Sequence, residues 1–158
     1  MDAEAKKKAL RMINYGMYVL SASDGKHIAA ATVNWLSQAS FNPPLVMVGL
    51  RMDSETYAAV KNSRHFAVNV LGKEQKSLAQ DFFKASVLEG TRINGHEFEK
   101  GKTGGAILKE TPAFFECKVT DIVERGDHAV VVGEVIEANL TREDAPLFMR
   151  ETGWFYGG

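Results

Sequence analysis

Apolar positions along the chain change their spacing several times, and each change marks an element. Residues 3 to 13, AEAKKKALRMI, set Ala9, Leu10 and Ile13 on a helical stripe behind a basic face, which predicts a short N-terminal helix. Residues 15 to 23, YGMYVLSAS, alternate as a strand does, and Asp24-Gly25 offers a tight turn into a second strand running from about His27 through Trp35. In that strand Thr32 and Asn34 point to one face and Val33 and Trp35 to the other, until Leu36 and Ser37 reverse the phase. The slip predicts a bulge or bend, a feature common beside functional sites. Pro43 and Pro44 then interrupt the pattern, because proline cannot donate to a ladder, and LVMVGL reads as a fully buried strand ending at Arg51.

Further on, DSETYAAVKNS has an acidic, hydroxyl-rich start, so Ser54 or Asp53 would cap a short helix. RHFAVNVLG predicts another strand, and KEQKSLAQDFFK a helix with Leu78, Ala79 and Phe82 facing inward. From about Ala85 to Gly105 glycine and charge dominate without a period, which predicts a long loop. FFECKVTDIVER and HAVVVGEVIEANL form the clearest hairpin, joined at Gly126-Asp127 in a type II′ turn, and a short element from Gly153 to Tyr156 closes the chain. Neither a repeat nor a linker divides residues 1 to 158, so one domain is expected. Antiparallel strands with a few short helices, and no regular strand-helix alternation, favour an antiparallel barrel over a doubly wound sheet.

Composition narrows the functional classes. The 158 residues are 45% hydrophobic and 25% charged, ordinary values for a globular protein with a core. A formal net charge of −1 provides no bulk attraction for nucleic acid or an anionic membrane, and the Lys6 to Lys8 run reads as a solvated helix face. No apolar run approaches the roughly 18 residues of a membrane span. The start MDAEAKKK lacks the apolar core of a signal peptide, so a cytoplasmic protein is expected.

Several familiar chemistries find no support in the spacing. Cys117 has no partner for an intramolecular disulfide and reads as a buried strand residue rather than a nucleophile. His27, His65, His96 and His128 are dispersed, without metal-site spacing. A dinucleotide-binding glycine fingerprint is absent. Gly101-Lys102-Thr103 looks like part of a phosphate-binding loop, but Gly95 lies one residue too far upstream and no strand precedes it, so Lys102 reads as a loop cation. What remains is the stretch from Thr32 to Arg51, where small hydroxyl and amide groups sit among apolar residues. Buried polar groups need partners, and a bound ligand could supply them.

The combination of TVNWLSQASFNPPLVMVGL, the S-x-T helix start, the FAVNVL strand and GDHAVVVGEV resembles the flavin reductase-like proteins, whose fold is the FMN-binding split barrel. The resemblance spans roughly Ala9 to Tyr156, with the motifs in family order. It implies a homodimer of six-stranded antiparallel Greek-key barrels, each holding one flavin near the subunit interface. The strand at Thr32, Val33, Asn34 and Trp35 and the turn at Ser37, Gln38, Ala39 and Ser40 would line the isoalloxazine and ribityl chain. Arg51, Ser54 and Thr56 would receive the phosphate, since an Arg fork, hydroxyls and free helix-start amides suit a dianion. Without the resemblance, Ser54 and Thr56 would read simply as caps of a surface helix.

The resemblance carries His128 over as a contact for the nicotinamide of NADH or NADPH, because Gly126, Asp127 and Gly133 match. It implies a flavin reductase with FMN, or alternatively FAD, passing electrons to a monooxygenase partner or a redox protein. Trp35 is bulkier than the small residue the pattern leads one to expect, which motivates a rival reading: an electron carrier or flavin-storage protein with little NAD(P)H turnover. Trp35, Phe82, Phe83, Trp154, Phe155 and Tyr156 could supply stacking surface or a pocket floor, but most of them read as core or dimer-interface residues. Pyridoxamine-phosphate oxidase chemistry on a similar barrel is disfavoured, because its basic substrate cluster is missing.

Overall fold

Eleven strands and four short helices make the chain mainly β, and every strand pair in it is antiparallel. The computed structural model describes residues 1–158. In chain order the elements are α1 (Ala3–Arg11), β1 (Tyr18–Ser23), β2 (Ile28–Val33), β3 (Leu36–Ser40), β4 (Leu45–Arg51), α2 (Glu55–Ser63), β5 (His65–Val70) and α3 (Lys76–Asp81). Then follow β6 (Leu88–Glu89), β7 (Arg92–Ile93), β8 (His96–Lys100), β9 (Ala106–Leu108), β10 (Ala113–Glu124), β11 (His128–Leu140) and α4 (Met149–Thr152). No helix is long and apolar enough to cross a membrane.

The main sheet has the order β2-β1-β5-β10-β11-β4-β3. Its edge strands, β2 and β3, are separated in sequence only by Asn34 and Trp35. Three Cα steps span at most about 11 Å, so the sheet curls until its edges meet at this corner, although no ladder joins β2 to β3. The phase reversal at Leu36 is this corner. Seven strands stand where the resemblance implied six, because Ser37 to Ser40, expected as a turn, pairs with β4 as an edge strand, Ser37 opposite Met47.

Both faces of the sheet are covered, which explains why β1 is apolar or small at nearly every position. Leu20, Val48, Phe66, Val68 and Val131 pack with Tyr57 and Val60 of α2 in one cluster. Val19 joins Leu78, Ala79, Phe82, Ile93 and Leu108 in the other. Buried Asn69, from the FAVNVL strand, fastens the second layer: its Nδ2 donates to the carbonyls of Val19 and Ala106, and its Oδ1 accepts from Leu108 N at 2.8 Å.

Five sequence expectations need correction. β4 is not buried throughout: Val46, Val48 and Leu50 are buried, but Met47 between them is 43% exposed, because burial alternates along the strand. The segment from Ala85 to Gly105 is not a structureless loop; it carries β6, β7 and β8, which with β9 form a small four-stranded sheet. Its strands are too short to show a period, and Gly90, Asn94 and Gly95 turn the chain at positive φ. α1 forms, with Asp2 accepting from Ala5 N as its cap, but it ends at Arg11, short of Ile13, and no residue of it is buried. At the hairpin, Glu124 pairs with Ala129 and Gly126 does not take positive φ, so the two-residue type II′ turn is absent. Instead β4 draws the tip into its own ladder, with His128 opposite Arg51 and Met52 N donating to Asp127 O. Finally, the closing element is one helical turn at α4, ended by Gly153 at φ 77°, and residues 154–158 form an irregular tail.

Candidate functional site

A cavity of about 700 Å³ opens between β2, the end of β4, the start of α2, the two phenylalanines that follow α3 and the C-terminal tail. Its size falls within the range of cofactor sites. Thr32, Val33 and Asn34 come from β2 and its corner, Arg51, Ser54 and Thr56 from the β4-α2 junction, and His128 from the start of β11. The sheet's curl brings these three stretches together, so seven of the sequence-predicted residues share one wall. Phe82, Phe83, Trp154, Phe155 and Tyr156 add an aromatic side.

The other predicted residues lie elsewhere. Ser37, Gln38 and Ala39 are exposed on β3 and Ser40 is half-buried, none of them lining the cavity. Trp35 sits behind His128 and Tyr156, its ring centroid 4.6 Å and 5.3 Å from theirs. It packs over Gly49 and beneath Gly157, where a Cβ would approach within 3.1 Å and 2.6 Å of the indole. The indole Nε1 is buried without a hydrogen-bond partner.

Several polar side chains in the cavity are already engaged. Thr32 donates its hydroxyl to Ala79 O at 2.6 Å, anchoring β2 to α3. Ser54 donates to Arg51 O and accepts from Tyr57 N, the work of a helix cap. Asn34 is 7% exposed, and its Nδ2 donates to Met149 Sδ. Thr56, also buried, lines the cavity, and at the first turn of α2 the Glu55 and Thr56 amides precede the first residue with an intrahelical acceptor.

Arg51 carries the principal charge. Its Nε and Nη2 donate to the two carboxylate oxygens of Asp53 at 3.0 Å and 2.6 Å. That bidentate hydrogen bond, reinforced by attraction, holds the Asp53 carboxyl below its ordinary range and raises the guanidinium. Sequence reasoning saw Asp53 only as a rival helix cap; the two-residue spacing from Arg51 was the available signal.

His128 is held from both sides. Asp127 accepts from Nδ1 at 2.7 Å, and the Tyr156 hydroxyl donates to Nε2 at 2.8 Å, an assignment that follows from the acceptor-only carboxylate. The bond to His128 lowers the Asp127 carboxyl, whereas burial raises the Tyr156 phenol.

A curled antiparallel sheet with a cofactor-sized cavity, one phosphate-compatible junction and an aromatic wall defines a class of ligand-binding β proteins. Residues 10–156 match the flavin reductase like domain, and the chain belongs to that family. It is 30% identical over 146 residues to FMN reductase (NADH) SmoA of Agrobacterium fabrum (strain C58 / ATCC 33970), covering 92% of this chain and 81% of that one. It is 32% identical over 123 residues to the reductase component of the 4-nitrophenol 4-monooxygenase/4-nitrocatechol 2-monooxygenase of Rhodococcus opacus, covering 78% and 64%. Among solved structures, flavin reductase PheA2 superposes with a TM-score of 0.79 at 27% identity, over 94% of this chain and 93% of that one. The chain spans only 27% to 64% of the length of four of the curated relatives it matches, the Rhodococcus opacus protein among them.

Proposed function

We propose that the protein is an NAD(P)H:flavin oxidoreductase that binds FMN, with FAD as the alternative, in the cavity between β2, α2 and the C-terminal tail. The observation that carries this reading is the junction of Arg51, the free α2 amides and Thr56 at one end of an aromatic-walled cavity of about 700 Å³. A dianionic phosphate suits that end, and a flat ring system suits the rest. Family membership and the names of SmoA and PheA2 support it.

When bound, the flavin supplies the acceptor for hydride from a nicotinamide. The chain's own part is to bind, orient and exclude water. Val33, Phe82 and Phe83 offer apolar surface, Asn34 offers an amide, and His128 stands ready to orient the nicotinamide once Tyr156 moves aside. Ser37, Gln38, Ala39 and Ser40 belong to the reading as contacts a partner subunit or a shifted β3 would complete. A homodimer of split barrels, one domain per chain and a monooxygenase or redox-protein partner form the wider proposal. The curl that meets at Asn34–Trp35 supports the barrel, and the Rhodococcus opacus relative supports the monooxygenase partner.

One observation favours a second reading. Both ring nitrogens of His128 are already bonded and the tail lines the cavity, which leaves less room for a nicotinamide and favours a carrier or flavin-storage protein with little nicotinamide turnover. The absorbance spectrum of FMN-loaded, desalted protein, followed anaerobically with NADH and then NADPH, tests both. Flavin bands that persist and bleach support the reductase; bands that persist unbleached support the carrier. Failure to bind FMN at any concentration overturns both.

A further inference from the structure

We propose that Asp53 sets the discrimination between phosphorylated and unphosphorylated flavins, by holding the Arg51 fork as an internal competitor for phosphate. The inference rests on the flavin reading above. Arg51 presents two donors to the two oxygens of Asp53, the same bidentate arrangement it would offer to two phosphate oxygens. Both residues line the cavity, and both also line an adjoining recess of about 490 Å³ shared with Asp127. A dianion arriving at the start of α2 therefore meets a guanidinium whose Nε–Nη2 edge is taken, with a carboxylate beside it. Asp53 must turn away for that edge to close on phosphate.

That movement is cheap. The side chains of Arg51 and Asp53 are 58% and 70% exposed, so water replaces the lost contacts and screens the charges. Riboflavin, lacking the phosphate, asks no such movement. Asp53 therefore weakens FMN binding selectively and favours a flavin that exchanges over one permanently held.

Fluorescence titrations with FMN and with riboflavin test this on the full chain, comparing wild type, Asp53→Asn, Asp53→Ala and Arg51→Ala. Both Asp53 variants should bind FMN about two- to five-fold more tightly, with riboflavin affinity unchanged. Arg51→Ala should reduce the preference for FMN over riboflavin, and adding Asp53→Asn to it should then tighten FMN binding by less than Asp53→Asn does in the wild-type background. Unchanged or weaker FMN binding in both Asp53 variants, with riboflavin still bound, overturns the inference alone and makes Asp53 a positioning residue for Arg51. Absence of binding by either flavin to wild type overturns the flavin reading and this inference with it.

Discussion

The Tyr156 hydroxyl lies 2.8 Å from Nε2 of His128, tying the C-terminal tail to the tip of the β10-β11 hairpin. Three more contacts hold the tail along this path. Trp154 stacks edge-on against Phe83 with centroids 4.8 Å apart, and the Arg11 guanidinium lies 4.8 Å from the centroid of the Phe155 ring. Arg11 also donates to Gly157 O, so α1, which buries nothing, connects to the site through the tail. Any group that approaches His128 Nε2 from the cavity must displace Tyr156.

Replacing Tyr156 with Phe should lower KM for NADH by about two- to tenfold, as loss of a hydrogen bond with a net value of about 0.5–1.5 kcal/mol makes His128 available. The rate at saturating NADH should change little. His128→Ala should instead slow NADH oxidation with less effect on FMN binding. Initial rates at saturating FMN measure both, and a raised KM in Tyr156→Phe would mean that the hydroxyl itself serves the substrate.

Gly133 belongs to the GDHAVVVGEV stretch, yet its requirement comes from packing. A Cβ there would lie 2.7 Å from the ring of Phe66 and 2.9 Å from Cβ of Cys117, both fully buried. Neither neighbour has room to retreat, so Gly133→Ala should destabilise the fold by about 1–3 kcal/mol, read as a lower urea midpoint with an unchanged slope.

Long periodic segments disclosed themselves in the sequence: β4 by its apolar run, β10 and β11 by their length, and α3 by the spacing of Leu78, Ala79 and Phe82. Ser54 disclosed the start of α2 because its cap is local chemistry. β6 and β7, two residues each, are shorter than any period can register, so the small sheet stayed hidden among its turn residues. The stripe on α1 disclosed the helix but not its surroundings, because an apolar stripe does not say whether anything covers it. At the site, the β4-α2 junction was legible from adjacent residues. The Asp53 clasp on Arg51, the tail's return to His128 and the removal of Trp35 from the cavity wall all depend on where the chain folds back.

The GKT sequence that resembles a phosphate-binding loop encloses the protein's own carboxylate. Glu116 is 1% exposed and accepts from Lys102 N at 3.0 Å, Thr103 N at 2.8 Å and the Thr103 hydroxyl at 2.5 Å. A Cβ on Gly101 would collide with the same carboxylate. Glu116→Gln turns an amide toward donors that need an acceptor, and should cost about 1–3 kcal/mol in urea unfolding. Glu116 does not line the cavity, so the affinity for FMN should stay as in wild type.

Cys117 supplies a prediction about alkali. Burial, with the neighbouring Glu116 charge adding to it, pushes its thiol up to about 12. The thiol should therefore resist a disulfide reagent near pH 8 in the folded protein and react once denaturant exposes it. The folded value lies above that of the unfolded chain, so the neutral thiol's contribution to stability is complete below the unfolded value. It is lost as pH rises from about 8.5 toward the folded value. Tyr57, raised by burial and by its bond to Glu124 to about 12, loses its contribution in the same direction at higher pH, starting from about 10. Urea midpoints measured between about pH 8.5 and 10 should thus fall more steeply in wild type than in Cys117→Ala, because Tyr57 has not begun to contribute there. Equal slopes in the two proteins would mean that the thiol ionises as easily folded as unfolded.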